Sequence, residues 1–122
     1  MESKLNNLLV VEDNPYIGEE IVNAVKKVNG IKNIHLTKTL QEAISSLNKT
    51  SFELVTLDLS LPDGNGIELL KWFIEKKIKK DVFVFSTSKE LKGICLKYGA
   101  LAFFDKSTGF DELIESIKKL NQ

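Results

Sequence analysis

The 122-residue chain holds a single cysteine, Cys95, so no internal disulfide can form and a reducing compartment is expected. It has no excess of charge. Seventeen basic residues face 17 acidic ones, which argues against a general nucleic-acid or membrane-surface binder, since either needs a basic face. No apolar run approaches the ~18 residues of a membrane span. The opening Met1-Glu2-Ser3-Lys4-Leu5-Asn6-Asn7 lacks the apolar stretch behind a basic end that marks a signal peptide. Repeats, low-complexity segments and linkers are missing too. These absences lead to the expectation of one cytoplasmic domain spanning residues 1–122. What is present suffices to fold it: 43% hydrophobic with 28% charged residues is a globular composition, and a chain this long buries roughly two-thirds of its unfolded surface.

The apolar pattern switches period along the chain. Leu8-Leu9-Val10-Val11 is a short continuous apolar run, as expected of a strand covered on both faces. Ile17, Ile21, Ala24, Val25 and Val28 then recur at helical steps. Asn14 is placed to cap that helix, Pro15 suits its first turn, and Gly30 is the expected stop. Ile34 to Leu36 reads as a second strand. Thr39 and Glu42 have capping-box spacing ahead of a stripe of Leu40, Ala43, Ile44 and Leu47. Phe52 to Leu59 is a third strand, ended by the breaker cluster Pro62-Asp63-Gly64-Asn65-Gly66. A third helical stripe runs Ile67, Leu70, Phe73, Ile74 and Ile78. A fourth strand covers Asp81 to Phe85, a short helix Lys89 to Tyr98, a fifth strand Leu101 to Phe104, and a last helix carries Phe110, Leu113, Ile114 and Ile117.

Five alternations of strand and helix predict an α/β fold, a doubly wound five-stranded parallel sheet with five helices on its two faces. Ligands of such sheets gather outside the carboxyl ends of the strands, so the polar residues ending the strands matter most. The first strand ends in Glu12-Asp13, the third in Asp58, the fourth in Ser86-Thr87 and the fifth in Asp105-Lys106. Carboxylates crowded on one rim repel, and such a site usually supplies a cation. Hard oxygen ligands with water in the remaining positions suit Mg2+. A carboxylate nucleophile, a divalent cation, a lysine and a hydroxyl are together the parts expected for phosphoryl transfer.

The set Val11-Glu12-Asp13-Asn14-Pro15, the run from Thr56 through Asp58 and Pro62 to Gly66, Ser86, and Phe103-Phe104-Asp105-Lys106 resembles the receiver domain of bacterial response regulators over nearly the whole chain. No one of these motifs is specific alone; the combination is. The resemblance implies a flavodoxin-like sheet of strand order 2-1-3-4-5. It implies Asp58 as phosphoacceptor for a sensor histidine kinase or histidine phosphotransfer protein. Asp13, Asp58 and the backbone carbonyl of Ser60 would ligate Mg2+, with Glu12 helping through a water. Ser86 would hydrogen-bond a phosphoryl oxygen, Lys106 would pair with Asp58 or its phosphate, and Phe103 falls where the family places a switch aromatic. A member of this class is no enzyme beyond catalysing its own phosphorylation and dephosphorylation. Ser107 stands where the family usually has proline, so a cis peptide is not expected there. The stretch from Ser86 to Gly99 is about two residues shorter than usual. A monomer or weak dimer is expected, acting on a protein effector and not directly on DNA, because the sequence carries no DNA-binding helices after the last stripe.

Blander readings compete at each position. Glu12 and Asp13 could cap the first helix, Ser86 could be an ordinary strand-end hydroxyl, and Phe103 could be plain core. His35, Cys95 and the Lys76-Lys77-Ile78-Lys79-Lys80 run read as structural residues or solvated surface. Trp72 either flanks the core or marks a contact. Among other function classes, an aspartyl-phosphate phosphatase needs a second acid two residues after the nucleophile, where this chain has Ser60. A flavin binder would meet repulsion at Glu12-Asp13. A receiver-like interaction module that signals without phosphate is the alternative that keeps every residue in place.

Overall fold

The computed structural model describes residues 5–122; Met1–Lys4, part of the stretch read for a signal peptide, lie outside the described residues. Seven strands and five helices follow one another: β1 (Asn7–Val11), α1 (Pro15–Lys26), β2 (Asn33–Thr37), α2 (Leu40–Lys49), β3 (Leu54–Leu57), β4 (Ser60–Leu61), β5 (Gly64–Asn65), α3 (Ile67–Glu75), β6 (Asp81–Ser86), α4 (Lys92–Lys97), β7 (Ala102–Asp105) and α5 (Phe110–Leu120). A 3-10 turn, Lys89–Leu91, leads into α4. The main sheet is parallel throughout and runs β2-β1-β3-β6-β7, the order 2-1-3-4-5 when its five strands alone are counted. β4 and β5 form a separate two-stranded hairpin inside the expected breaker cluster.

Strand alternation divides the core into two layers. Leu9, Val11, Val55, Leu57, Val82 and Val84 face one side and pack with α2, α3 and Cys95 of α4. Leu8, Val10, Leu54, Phe83, Phe85 and Phe104 face the other and pack with Ile21 and Val25 of α1 and Leu113, Ile114 and Ile117 of α5. This is why the central strands read as unbroken apolar runs: both their faces are covered. No helix among the described residues is long and apolar enough to cross a membrane.

The expected caps form. The Asn14 side chain accepts from the N–H groups of Tyr16 and Ile17, and Thr39 Oγ1 accepts from the Glu42 N–H at 3.0 Å. Glu42 reaches back to the N–H of Lys38, one residue outside the usual box. Helix α1 ends at Lys26, four residues before Gly30, which serves the following turn with φ of 96°. The third strand is shorter than Phe52–Leu59, though the Asp58 N–H still bonds the Val11 carbonyl at 2.9 Å. The lysine run is not uniformly solvated. Lys80 Nζ donates to the Phe52 carbonyl at 2.6 Å, and Lys77 sits at φ 56° in the left-handed position that closes α3, where glycine is the usual residue. Ile78 N–H bonds the Phe73 carbonyl and Lys77 N–H the Ile74 carbonyl, completing that C-terminal motif. His35 meets the ring of Phe52 edge-on, 5.1 Å between centroids. Trp72 is half-buried against the α3 layer, its ring 5.5 Å from that of Phe73. No cis peptide occurs among the described residues.

Thr56 contradicts its surroundings. It is 1% exposed, it shares a strand face with Leu54, and its hydroxyl has no hydrogen-bond partner among the described residues. A buried, unpaired hydroxyl costs about 1–3 kcal/mol. Thr56→Val is therefore expected to stabilise the domain by about 1 kcal/mol or more, read as a higher urea midpoint with an unchanged slope. A lower midpoint would show that the hydroxyl has a native partner.

Candidate functional site

The carboxyl ends of the central strands meet at one edge. Backbone bonds carry the pairing past each strand: Glu12 N–H to the Thr37 carbonyl (2.9 Å), Asp58 N–H to Val11 (2.9 Å), Lys106 N–H to Ser86 (3.0 Å). Glu12, Asp58 and Lys106 thus each sit one step beyond a rigid ladder, while Ser86 is the last residue of β6. Glu12, Asp13 and Asp58 each offer a carboxylate oxygen within 4.8 Å of the others. Glu12 and Asp58 are buried, 1% and 3% exposed, while Asp13 is the more open of the three.

Lys106 is the counterion to this cluster. Its Nζ lies 2.9 Å from Glu12 Oε1, 3.0 Å from Oε2 and 3.1 Å from Asp58 Oδ2. The sequence directed Lys106 toward Asp58; the equally short contact with Glu12 is new. The Asn14 N–H also donates to Glu12 Oε2 at 3.2 Å, and the Ser60 N–H to Asp58 Oδ1 at 3.2 Å. Burial pushes the Glu12 carboxyl up to about 7, the Asp58 charge adding to the rise and Lys106 opposing it. Two buried carboxylates sharing one ammonium form an anion-rich site that still attracts a cation. Three hard oxygen donors, one of them reachable from solvent, fit Mg2+, which keeps part of its water shell.

Ser86 is 1% exposed, and its Oγ accepts from the Ser88 N–H at 3.0 Å. No hydrogen bond among the described residues takes its own proton, so the hydroxyl is available as a donor. Phe103 is half-buried and packs against the α2–α3 layer. Its neighbour Asp105 accepts from the backbone and hydroxyl of Ser107 and pairs with Lys89 at 3.1 Å, contacts that hold its carboxyl below the usual range. Gly66, at the start of α3, admits no side chain. A Cβ there would come within 2.5 Å of the Asp58 carbonyl and 3.0 Å of Leu59 Cα. That close approach pins the helix against the chain that leaves β3.

One residue near the site escaped the sequence reading. Asp63, at the tip of the β4–β5 hairpin, accepts from the N–H groups of Leu40 (2.8 Å) and Gln41 (3.0 Å) at the start of α2. Those two donors hold its carboxyl below the usual carboxylate range. A Pro-Asp-Gly sequence announces a turn, but nothing local says which helix, 22 residues away, the acid will cap.

The response regulator receiver domain family model matches residues 8–118, so this chain belongs to that family. It is a receiver domain of the two-component response regulator class, a signalling module of a kind associated with phosphorylation and Mg2+. The transcriptional regulatory protein MalR of Bacillus subtilis is 32% identical over 107 residues, covering 86% of this chain and 46% of MalR. The chain spans about half the length of the curated relatives it matches. The receiver domain of the Francisella response regulator 1452 superposes with a TM-score of 0.84 at 28% identity, covering 94% of this chain and 95% of that one. Thermotoga maritima TrrA superposes with a TM-score of 0.81 at 26% identity, covering 98% and 99%.

Proposed function

We propose that residues 1–122 form one receiver domain in which Asp58 takes a phosphoryl group from the phosphohistidine of a sensor kinase or phosphotransfer protein. The observation that carries this reading is the convergence of Glu12, Asp13 and Asp58 within 4.8 Å around the Lys106 ammonium. A carboxylate oxygen of Asp58 attacks phosphorus, the P–N bond breaks, and the imidazole leaves as the new O–P bond forms. Asp13, Asp58 and the Ser60 carbonyl would hold Mg2+, with Glu12 assisting through a water. The cation, when bound, supplies positive charge to the crowded oxygens. TrrA, similar in fold, was solved in complex with Mg(2+)-BeF.

The chain's own groups supply the switch. Phosphorylation adds about −1.5 to −2 charge and strong acceptor oxygens at Asp58. Ser86 then gains an acceptor for its free proton, and Lys106 can shift its contact from the carboxylates to the phosphate. Each charge-assisted bond is worth ~1.5–3 kcal/mol, and moving a two-state equilibrium from 1:99 to 99:1 needs about 5.5 kcal/mol. About two to four such bonds suffice. Phe103, on the strand that leads into Lys106, is the proposed reporter of that shift.

Output runs through protein contacts, and the balanced charge of 17 against 17 residues disfavours direct DNA binding. The domain is proposed to be cytoplasmic, a monomer or weak dimer, and no enzyme toward other substrates. Incubation with acetyl phosphate and Mg2+ is expected to add one phosphoryl group by intact mass, removable with hydroxylamine as an acyl phosphate. No labelling under conditions where Mg2+ binds would leave a phosphorylation-independent interaction module.

A further inference from the structure

We propose that Asp63 is a positioning residue for the metal site, fixing the hairpin that presents the Ser60 carbonyl by clamping it to the first turn of α2. The inference rests on the reading of Ser60 as a backbone ligand of Mg2+. Ser60 is the first residue of β4, and only Leu61 and Pro62 separate it from Asp63. The hairpin is two residues deep on each side, Ser60 opposite Asn65 and Leu61 opposite Gly64. So short a ladder cannot define its own position.

Its base is held by the Gly66 N–H on the Leu59 carbonyl at 2.8 Å and by the Ser60 N–H on Asp58 Oδ1. Its tip is held by Asp63, whose two oxygens each take one N–H, of Leu40 at 2.8 Å and Gln41 at 3.0 Å. The two faces are in close approach: a Cβ on Gly64 would lie 3.0 Å from Leu40 Cδ1. Helix α2 does not need Asp63 for every orphan donor. Thr39 Oγ1 takes the Glu42 N–H, and the Thr39 carbonyl takes that of Ala43 at 3.1 Å. Asp63 satisfies the N–H groups of Leu40 and Gln41, and in doing so links the hairpin to an element anchored elsewhere. Just upstream of α2, Thr37 Oγ1 donates to the Val10 carbonyl and the Thr37 carbonyl receives the Glu12 N–H. The clamp therefore references the Ser60 carbonyl to the same strand ends that carry Glu12 and Asp58. A negative charge at the helix N-terminus adds to its strength.

The test is a MgCl2 titration of the full chain followed by the amide chemical shifts of Ser60 and Leu61, in wild type, Asp63→Ala, Asp63→Asn and Thr39→Ala. Loss of the clamp in Asp63→Ala is expected to weaken Mg2+ binding about tenfold, the size typical of groups that orient a metal ligand. Asp63→Asn keeps one acceptor oxygen and should recover part of the affinity. Thr39→Ala removes a cap from the same helix end without releasing the hairpin. It should lower the thermal midpoint while leaving Mg2+ affinity within twofold of wild type. Equal affinity in Asp63→Ala and wild type, or equal weakening in Thr39→Ala, would overturn the positioning role alone. A wild-type protein with no Mg2+ response would overturn the metal-site reading beneath it.

Discussion

Asp58→Asn abolishes phosphoryl labelling by acetyl phosphate while leaving the domain folded: that is the expected result, and the contacts of Asp58 explain both halves. The amide retains an oxygen for the Ser60 N–H that Asp58 Oδ1 now receives at 3.2 Å. Lys106 retains Glu12 at 2.9 Å, so no buried cation is stranded. What disappears is the anionic oxygen that attacks phosphorus, and an amide has no comparable nucleophile. Asp13→Asn is the informative companion. It removes one carboxylate from the metal set but leaves the acceptor, so labelling slows without vanishing, and raising Mg2+ recovers part of the rate. Intact mass after a timed incubation separates the two variants, and circular dichroism checks that both are folded. Labelling of Asp58→Asn at the wild-type rate would move the acceptor to another residue.

Asp58 was legible as a site residue because burying an acid at the end of a strand of valine and leucine is costly without a purpose; the acceptor role proposed for it came from the family resemblance alone. Glu12 and Lys106 were located by their places after apolar strands, since a parallel sheet brings the carboxyl ends of β1, β3, β6 and β7 to one edge. The sheet was legible for a related reason: strands covered on both faces leave apolar runs, and helices packed on one side leave stripes. Non-local contacts were not legible. The bond from Asp63 to α2 joins residues 22 and 23 apart in sequence, and Lys80 reaches Phe52 across 28. The early end of α1 at Lys26 and the β4–β5 hairpin depend on how the chain turns over the sheet, which periodicity does not encode. Glu12 as a direct partner of Lys106 was missed because pairing between two strand ends depends on side-chain reach.

Lys106→Met is expected to give the largest loss of stability of any change at this edge, and the loss should depend on pH. The substitution keeps an apolar stem of similar length but leaves Glu12 and Asp58, with side chains 1% and 4% exposed, facing each other without a countercharge. Removing one partner of a buried ion pair costs about 3–5 kcal/mol. The sign of the pH effect follows from Glu12, whose carboxyl is raised from 4.5 to about 7 chiefly by burial. Between those values the folded protein holds a proton that the unfolded chain has released, so stability falls as pH rises through the window. The gap corresponds to ~3 kcal/mol for the wild type without divalent cation. Lys106 opposes the rise, and without it the Glu12 carboxyl holds its proton to higher pH still. Urea unfolding in EDTA should therefore show a modest deficit for Lys106→Met at pH 5 and the full deficit at pH 8. Mg2+ at pH 8 should restore the variant more than it stabilises the wild type, because the cation then supplies the only positive charge in the cluster. A deficit of equal size at pH 5 and pH 8, untouched by Mg2+, would mean that the ammonium contributes packing alone and that the three carboxylates do not act as one charged site.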